Sequence, residues 1–235
     1  LVERGLFDSR ARARAAIEAG RVAVDGRTVS RPSDMVALDA GIVAEAAHPW
    51  VGRGGLKLDH ALTIWPVAIE GRVIVDVGAS TGGFTQVCLS RGAARVYAVD
   101  VGTGQLHASL AGDPRVVELS GTDARALDAT LIPEPPDLIV TDVSFISLAK
   151  ALPAALALSR PGAELVALVK PQFEVGRERV GRGGLVKDEA ARADALASVM
   201  GWLEGVGWRV LATADSPVAG GDGNREFLLR AMKQA

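Results

Sequence analysis

The chain has 235 residues, 49% hydrophobic and 23% charged, with a formal net charge of −2. That length suits one α/β domain of ordinary size plus a small second unit, and the hydrophobic content excludes global disorder. Near-neutral charge argues against a protein that coats nucleic acid over its whole surface, but leaves local basic patches open. A lone cysteine, Cys88, excludes a disulfide scaffold and a cysteine-based zinc site.

Residues 1–46 read as a small α+β unit. Arg10, Arg12 and Arg14 fall in an Ala-rich helical stretch that runs to Ala19 and stops at Gly20. Val22 and Val24, an Asp25-Gly26 turn, then Thr28 and Val29 form a hairpin signal. Residues 1–31 hold seven Arg (4, 10, 12, 14, 21, 27, 31) against four acids (3, 8, 18, 25), a local excess of +3. A solvated helix face accounts for such a run. A compact helix–helix–hairpin with clustered Arg is also a suitable phosphate-facing module. His48-Pro49-Trp50 marks a boundary, because proline forces extended backbone before it, and residues 47–59 read as linker and lead-in.

The remainder, 60–235, alternates strand and helix, with strands expected at 73–77, 95–99, 115–119, 137–142, 163–169, 208–214 and 225–231. The predicted architecture is a Rossmann-like open sheet of seven mostly parallel strands, covered on both faces. Ser216 to Gly223 is a short Pro/Gly-rich join that allows the last strand to run antiparallel.

The run Val73 to Val77 enters a turn of small residues, Gly78, Ala79, Ser80, Thr81, Gly82 and Gly83, and Phe84 opens a helix. Strand, glycine-rich turn and helix N-terminus together let backbone approach a ligand and point N–H groups at it. Arg95 to Val99 ends in Asp100, an acid placed for the two hydroxyls of a ribose. Dinucleotide binding fits poorly. Ser80 stands where a pyrophosphate wants glycine, and Asp76 would repel the phosphates. Near an amino group Asp76 is favourable, so the pattern suits S-adenosylmethionine better.

Further polar residues end strands at the same crevice. Asp142 follows Thr141, Lys170 follows Val169, and Glu226 opens the last, reversed strand. Lys57 sits earlier, in Gly54-Gly55-Leu56-Lys57-Leu58. Lysine is scarce, at five residues against 21 arginines, so each lysine is a candidate for work arginine cannot do. Two lysines and two acids beside a methyl donor make sense for a weakly acidic nucleophile such as a ribose 2′-hydroxyl. A structural Asp142–Lys170 ion pair is the plainer alternative.

Four strings sharpen this: Asp76-Val-Gly-Ala-Ser-Thr-Gly-Gly-Phe84, Asp142-Val-Ser-Phe-Ile-Ser-Leu148, Leu168-Val-Lys-Pro-Gln-Phe-Glu-Val-Gly176 and Gly223-Asn-Arg-Glu-Phe227. With them the chain resembles the TlyA family, bacterial rRNA 2′-O-methyltransferases once labelled haemolysins. The likeness spans nearly the whole chain. It implies an S4-like RNA-binding domain (1–46) ahead of an FtsJ-like methyltransferase domain (60–235), and methyl transfer to a cytidine 2′-OH in 16S or 23S rRNA, or both. It also implies a Lys-Asp-Lys-Glu tetrad at Lys57, Asp142, Lys170 and Glu226. Cofactor contacts fall on Asp76, the 78–84 turn, Asp100, Asp123 near the adenine and Phe145 in the pocket wall. RNA contacts are expected at Arg4, Arg10, Arg12, Arg14 and Arg53, while the Gly-rich basic loop 176–184 could fold over RNA. Ribosomal RNA or a ribosomal subunit is the implied partner.

Competing readings are a membrane-lytic protein, a catalytically silent ribosome-assembly factor, and a methyltransferase of small molecules or proteins. No run of 18 apolar residues and no signal peptide occurs, so the cytoplasm is the expected compartment. His48, His60 and His107 lack metal-ligand spacing, and no metal is expected.

Overall fold

The computed structural model describes residues 1–234 and divides into two units, Leu1–Pro49 and a second from Trp50 onward. In the first unit the Ala-rich stretch forms α1 (Arg10–Glu18), whose N-cap, Ser9, accepts from the Arg12 N–H. It packs Phe7, Ala13 and Ala16 against Val22. Strand β1 (Val22–Val24) pairs antiparallel with β2 (Arg27–Thr28) across Asp25 and Gly26, both at positive φ, as a right-twisted hairpin requires.

Two features differ from expectation. A third strand, β3 (Ile42–Ala44), pairs with the other side of β1; at three residues it is too short to show a period. The expected first helix of the helix–helix–hairpin is replaced by turns around Gly5, where positive φ breaks any helical run.

The second unit opens with α2 (Gly54–Ile64), so most of the expected lead-in 47–59 that follows Arg53 is helical. The two glycines at its start do not prevent this, because Leu58, Ala61 and Leu62 bury one face of the helix in the core. Next come β4 (Val73–Val77), α3 (Gly83–Ser90), β5 (Arg95–Asp100), α4 (Ala108–Ala111) and β6 (Val116–Ser120). After them follow β7 (Leu138–Thr141), α5 (Leu148–Ala151), α6 (Pro153–Leu158), β8 (Glu164–Val169) and α7 (Pro171–Glu174). The chain then runs through α8 (Glu189–Gly205), β9 (Trp208–Asp215) and β10 (Phe227–Lys233).

The sheet order is β6-β5-β4-β7-β8-β10-β9, parallel except that β10 runs antiparallel to both neighbours. All seven predicted strands are present, within about two residues at each end. Within β7 and β8 the runs Leu138–Val140 and Leu165–Val169 are apolar without alternation because both faces are covered. Val75, Ile139 and Leu165 face one cluster with Leu152, Leu203 and Trp208. Ile74, Val140 and Val166 face the other, with Leu58, Phe84 and Val87. This period-two division puts Asp76 on the α2/α3 side, buried beneath the helix N-termini.

Candidate active site

The carboxyl ends of β4, β5, β7 and β8 converge on one crevice, where the order reverses from β4–β5 to β4–β7. Such a switch point leaves a gap between diverging crossover loops. A cavity of about 530 Å³ fills it, lined by Gly78, Ser80, Asp100, Asp123, Asp142 and Phe145 among others.

The turn after β4 is built by close approach. Gly78 has φ +85°, and a Cβ there would stand 3.1 Å from the backbone of Asp142 and Val143, so a side chain would drive β4 and β7 apart. Ser80 also adopts positive φ (+48°), and its N–H donates to Asp100 Oδ2 at 2.7 Å, while Gly102 N–H donates to Oδ1 at 2.7 Å. Asp100 thus ties the two turns together and lines the cavity. Asp123 lines the same cavity, but Arg125 grips its carboxylate at 2.5 Å and holds it down to about 2.

Asp76 is fully buried. Thr85 Oγ1 donates to its Oδ2 at 2.7 Å, while Oδ1 has no hydrogen-bond partner. Burial pushes the carboxyl up to about 7, against the Thr85 bond, with Asp142 and Asp100 adding repulsion. A buried acid with one oxygen unmatched is costly in isolation and awaits a donor or a cation.

Beside the turn, two lysine–acid pairs lie together. Lys57 Nζ, on the second turn of α2, donates to Glu226 Oε2 at 2.5 Å, and both side chains are buried. Lys170 Nζ pairs with Asp142 Oδ1 at 2.6 Å and donates to Ser144 Oγ at 2.8 Å. Burial pushes the Glu226 carboxyl above its ordinary value, opposed by Lys57 and Lys170 and assisted by Asp142. Glu226 therefore senses Lys57, Lys170 and Asp142 together. Gly54 allows the approach, since a Cβ there would sit 3.2 Å from Asp142 Oδ2. A depression of about 260 Å³ opens over Lys170, Asp142 and the 78–84 turn, with Arg53 at its edge and the Arg53 guanidinium bonded to Ala219 O at 2.6 Å.

Phe145 is 91% exposed, at φ +67°, with its ring centroid 5.2 Å from that of Phe173. A non-glycine residue held there costs about 1–3 kcal/mol.

The arginines of the first unit divide. Arg10 is exposed. Arg12 pairs with Asp8 at 2.8 Å, and Arg14 pairs with Glu18 at 2.7 Å. Arg4, expected on a phosphate-facing surface, instead donates to the carbonyl oxygens of Ala37, Leu38 and Ala40 and holds that loop. Its planar fork of N–H donors suits a row of backbone acceptors as well as a phosphate.

Sequence reading passed over Ser144, Gln172, Asp222 and Asn224. All but Asp222 lie inside the four strings, and Asp222 immediately precedes one, so the strings were the available signal. Among the described residues, no group of three or more His, Cys, Asp or Glu is placed to hold a metal, and no helix is long and apolar enough to cross a membrane.

The FtsJ-like methyltransferase family model matches residues 50–233, and the S4 domain model matches residues 1–41. The 16S/23S rRNA (cytidine-2′-O)-methyltransferase TlyA of Mycobacterium tuberculosis is 47% identical over 97% of this chain and 86% of that protein. The 23S rRNA (cytidine-2′-O)-methyltransferase TlyA of Campylobacter jejuni is 34% identical over 86% of this chain and 78% of its own length. A haemolysin-named protein from Streptococcus thermophilus superposes with a TM-score of 0.81 at 38% identity, over 99% of this chain and 86% of that one.

Proposed function

This chain belongs to the TlyA family of FtsJ-like methyltransferases with an N-terminal S4 domain, and from that premise we propose that it methylates ribosomal RNA. The reaction is transfer of a methyl group from S-adenosylmethionine to the ribose 2′-OH of a cytidine in 16S or 23S rRNA, or both. The observation that carries this reading is two lysine–acid contacts, the buried Lys57–Glu226 and the partly exposed Lys170–Asp142, beside a nucleoside-sized cavity.

The residues fit the cofactor. Asp76 has a buried oxygen unmatched by any donor, suited to the ammonium of the methionine portion. Asp100 offers acceptors toward a ribose, and Val99, Ala124 and Ile146 give apolar walls for a base. When bound, S-adenosylmethionine supplies a methyl group on a positively charged sulfur, which needs no further activation. The protein's task is then to orient the ribose oxygen and remove its proton.

Lys170 is the group for that task. Asp142 and Ser144 hold its Nζ from two sides, so its position is set before substrate arrives. Lys170 Nζ, an ammonium while paired with Asp142, donates to the 2′-oxygen and orients it; having released one proton to Asp142 it can take the 2′-proton as the oxygen bonds to the methyl carbon and the carbon–sulfur bond breaks. Lys57 keeps Glu226 charged and in place, and Glu226 in turn balances the second cation near Lys170. In the first unit the S4 domain supplies RNA affinity, with Arg10, Arg12 and Arg14 as proposed phosphate contacts and Arg53 contacting RNA near the target nucleotide.

The test is methyl transfer from labelled S-adenosylmethionine to 30S and 50S subunits from a strain lacking this gene. Label in rRNA at one alkali-resistant position is the expected result. No label in either subunit, with cofactor bound, would favour the silent assembly factor. Lys170→Ala should lower kcat by about 10²–10⁴-fold, the usual worth of a positioned acid or base. Cofactor affinity should stay near wild type; equal loss of both would give Lys170 a structural role.

A further inference from the structure

Two of the four strings, Leu168–Gly176 and Gly223–Phe227, contain polar residues that the tetrad leaves unexplained. The structure joins them. The β8–β10 ladder ends at Val169 opposite Phe227, so Lys170 and Glu226 stand just beyond the last paired residues, where backbone bonding no longer fixes their separation. Past that point the chain turns into α7 on one side and comes out of the 216–226 loop on the other.

Asp222 spans this gap. Its Oδ2 accepts from Gln172 Nε2 at 3.1 Å and from Asn224 Nδ2 at 2.9 Å, and its Oδ1 accepts from the Asn224 N–H at 3.0 Å. Asn224 is buried, and its amide also accepts from Val186 N–H and donates to Gly184 O, both at 2.9 Å. One carboxylate thus links the residue two beyond Lys170, the residue two before Glu226 and, through Asn224, the Gly-rich 181–186 segment. Lys170, Gln172, Gly184, Asp222 and Glu226 line a common depression of about 430 Å³. Partial burial raises the Asp222 carboxyl, but the bonds from Asn224 and Gln172 outweigh it and hold it below its ordinary value.

We propose that Asp222 is a positioning residue, continuing the β8–β10 pairing with side chains so that Glu226 stays on Lys57 and at a set distance from Lys170. The inference rests on the methyl-transfer reading for its kinetic consequence, but its structural content stands apart from turnover. Otherwise the loop is held by Lys57 on Glu226, by the Ser216 N–H donating to Glu226 O and by Arg53 on Ala219 O, none of which reaches the α7 segment beyond Lys170. A shift of about 1 Å in a reacting constellation can cost 10²-fold in rate.

Asp222→Ala, Gln172→Ala and the double variant test it in the full-length protein. Each single change should lower kcat by about 10- to 100-fold, with little change in KM for S-adenosylmethionine. The double variant should be no worse than Asp222→Ala, because the two residues act as one bridge. The second readout is the Glu226 carboxyl titration, followed by carbon NMR and assigned with Glu226→Gln. Lys57, Lys170, Asp142 and Asp222 itself face Glu226, the last because Glu226 Oε1 and Asp222 Oδ1 lie 2.6 and 2.8 Å from where a Gly220 Cβ would stand. The midpoint is therefore read in Gln172→Ala, which removes no charge, and displacing Glu226 should move it. Gln172→Ala, which leaves Asn224 and its partners intact, covers the case in which Asp222→Ala does not fold. An unmoved Glu226 titration with unchanged kcat would overturn the proposal. If wild-type protein transfers no methyl group, the functional reading fails, and the titration alone still decides the role of Asp222.

Discussion

Asp76 is fully buried, with the Thr85 hydroxyl on its Oδ2, and burial pushes its carboxyl up to about 7. The folded state binds this proton more tightly than the unfolded chain. Its contribution to the stability of the cofactor-free protein is therefore greatest below the unfolded value and is lost as pH rises through about 7. Cofactor binding should run the opposite way, because an ammonium favours the ionised acid. Affinity should fall by up to about tenfold per pH unit below neutrality, with release of about one proton. Calorimetric titrations in buffers of different ionisation heat would measure that proton, and Asp76→Asn should remove both the slope and the release. A wild-type slope in the variant would take Asp76 out of the cofactor site. The tetrad pairs obey a related rule: removing one partner of a buried ion pair leaves the other charge uncompensated, at about 3–5 kcal/mol. Lys57→Ala should thus destabilise the fold as well as slow the reaction.

At the scale of elements, the site is assembled by strand ends. Parallel strands point their carboxyl ends one way, so Asp76, Asp100, Asp142 and Lys170 come from one edge of the sheet. Glu226 joins them only because β10 is reversed. The turn after β4 depends on an intimate crossing with the end of β7. Gly78→Ala adds a Cβ 3.1 Å from Asp142 backbone at a φ that L-residues avoid. It should cost about 1–3 kcal/mol and weaken cofactor binding more than RNA binding. A melting curve with a cofactor titration checks this, and unchanged values would mean the turn has room to relax. The Leu168–Gly176 string shows how one short segment serves several neighbours. Lys170 meets Asp142, Gln172 meets Asp222, Phe173 meets Phe145, and Glu174 accepts from the Leu148 N–H at the start of α5. Sequence reading could mark the string as unusual, but not which neighbour each residue would find.

For the whole molecule, near-zero net charge extends to the first unit: the +3 excess belongs to residues 1–31, and Asp34, Asp39 and Glu45 cancel it over Leu1–Pro49. The second unit carries the crevice. Replacing Arg10, Arg12 and Arg14 together should weaken RNA binding and reduce the slope of log affinity against log salt by at most about one for each phosphate no longer neutralised. An unchanged slope would mean that their carboxylate partners, Asp8 and Glu18, already satisfy Arg12 and Arg14. Arg4→Ala should instead loosen the loop at residues 37–40 with little effect on that slope.

What the sequence determined by itself was local or periodic. Runs such as Val73 to Val77 and Leu165 to Val169, short and bounded by turn residues, read as strands buried on both faces, and glycine with small residues after the first of them permits a ligand cradle. Strand-terminal charges then had one crevice to occupy. The short β3, the helical start of α2, the commitment of Arg4 to backbone carbonyls and the Asp222 bridge were decided only by the tertiary structure. Each depends on partners tens of residues away in sequence. A hydrogen-bond donor or carboxylate carries no mark of which distant acceptor it will meet until the chain has packed.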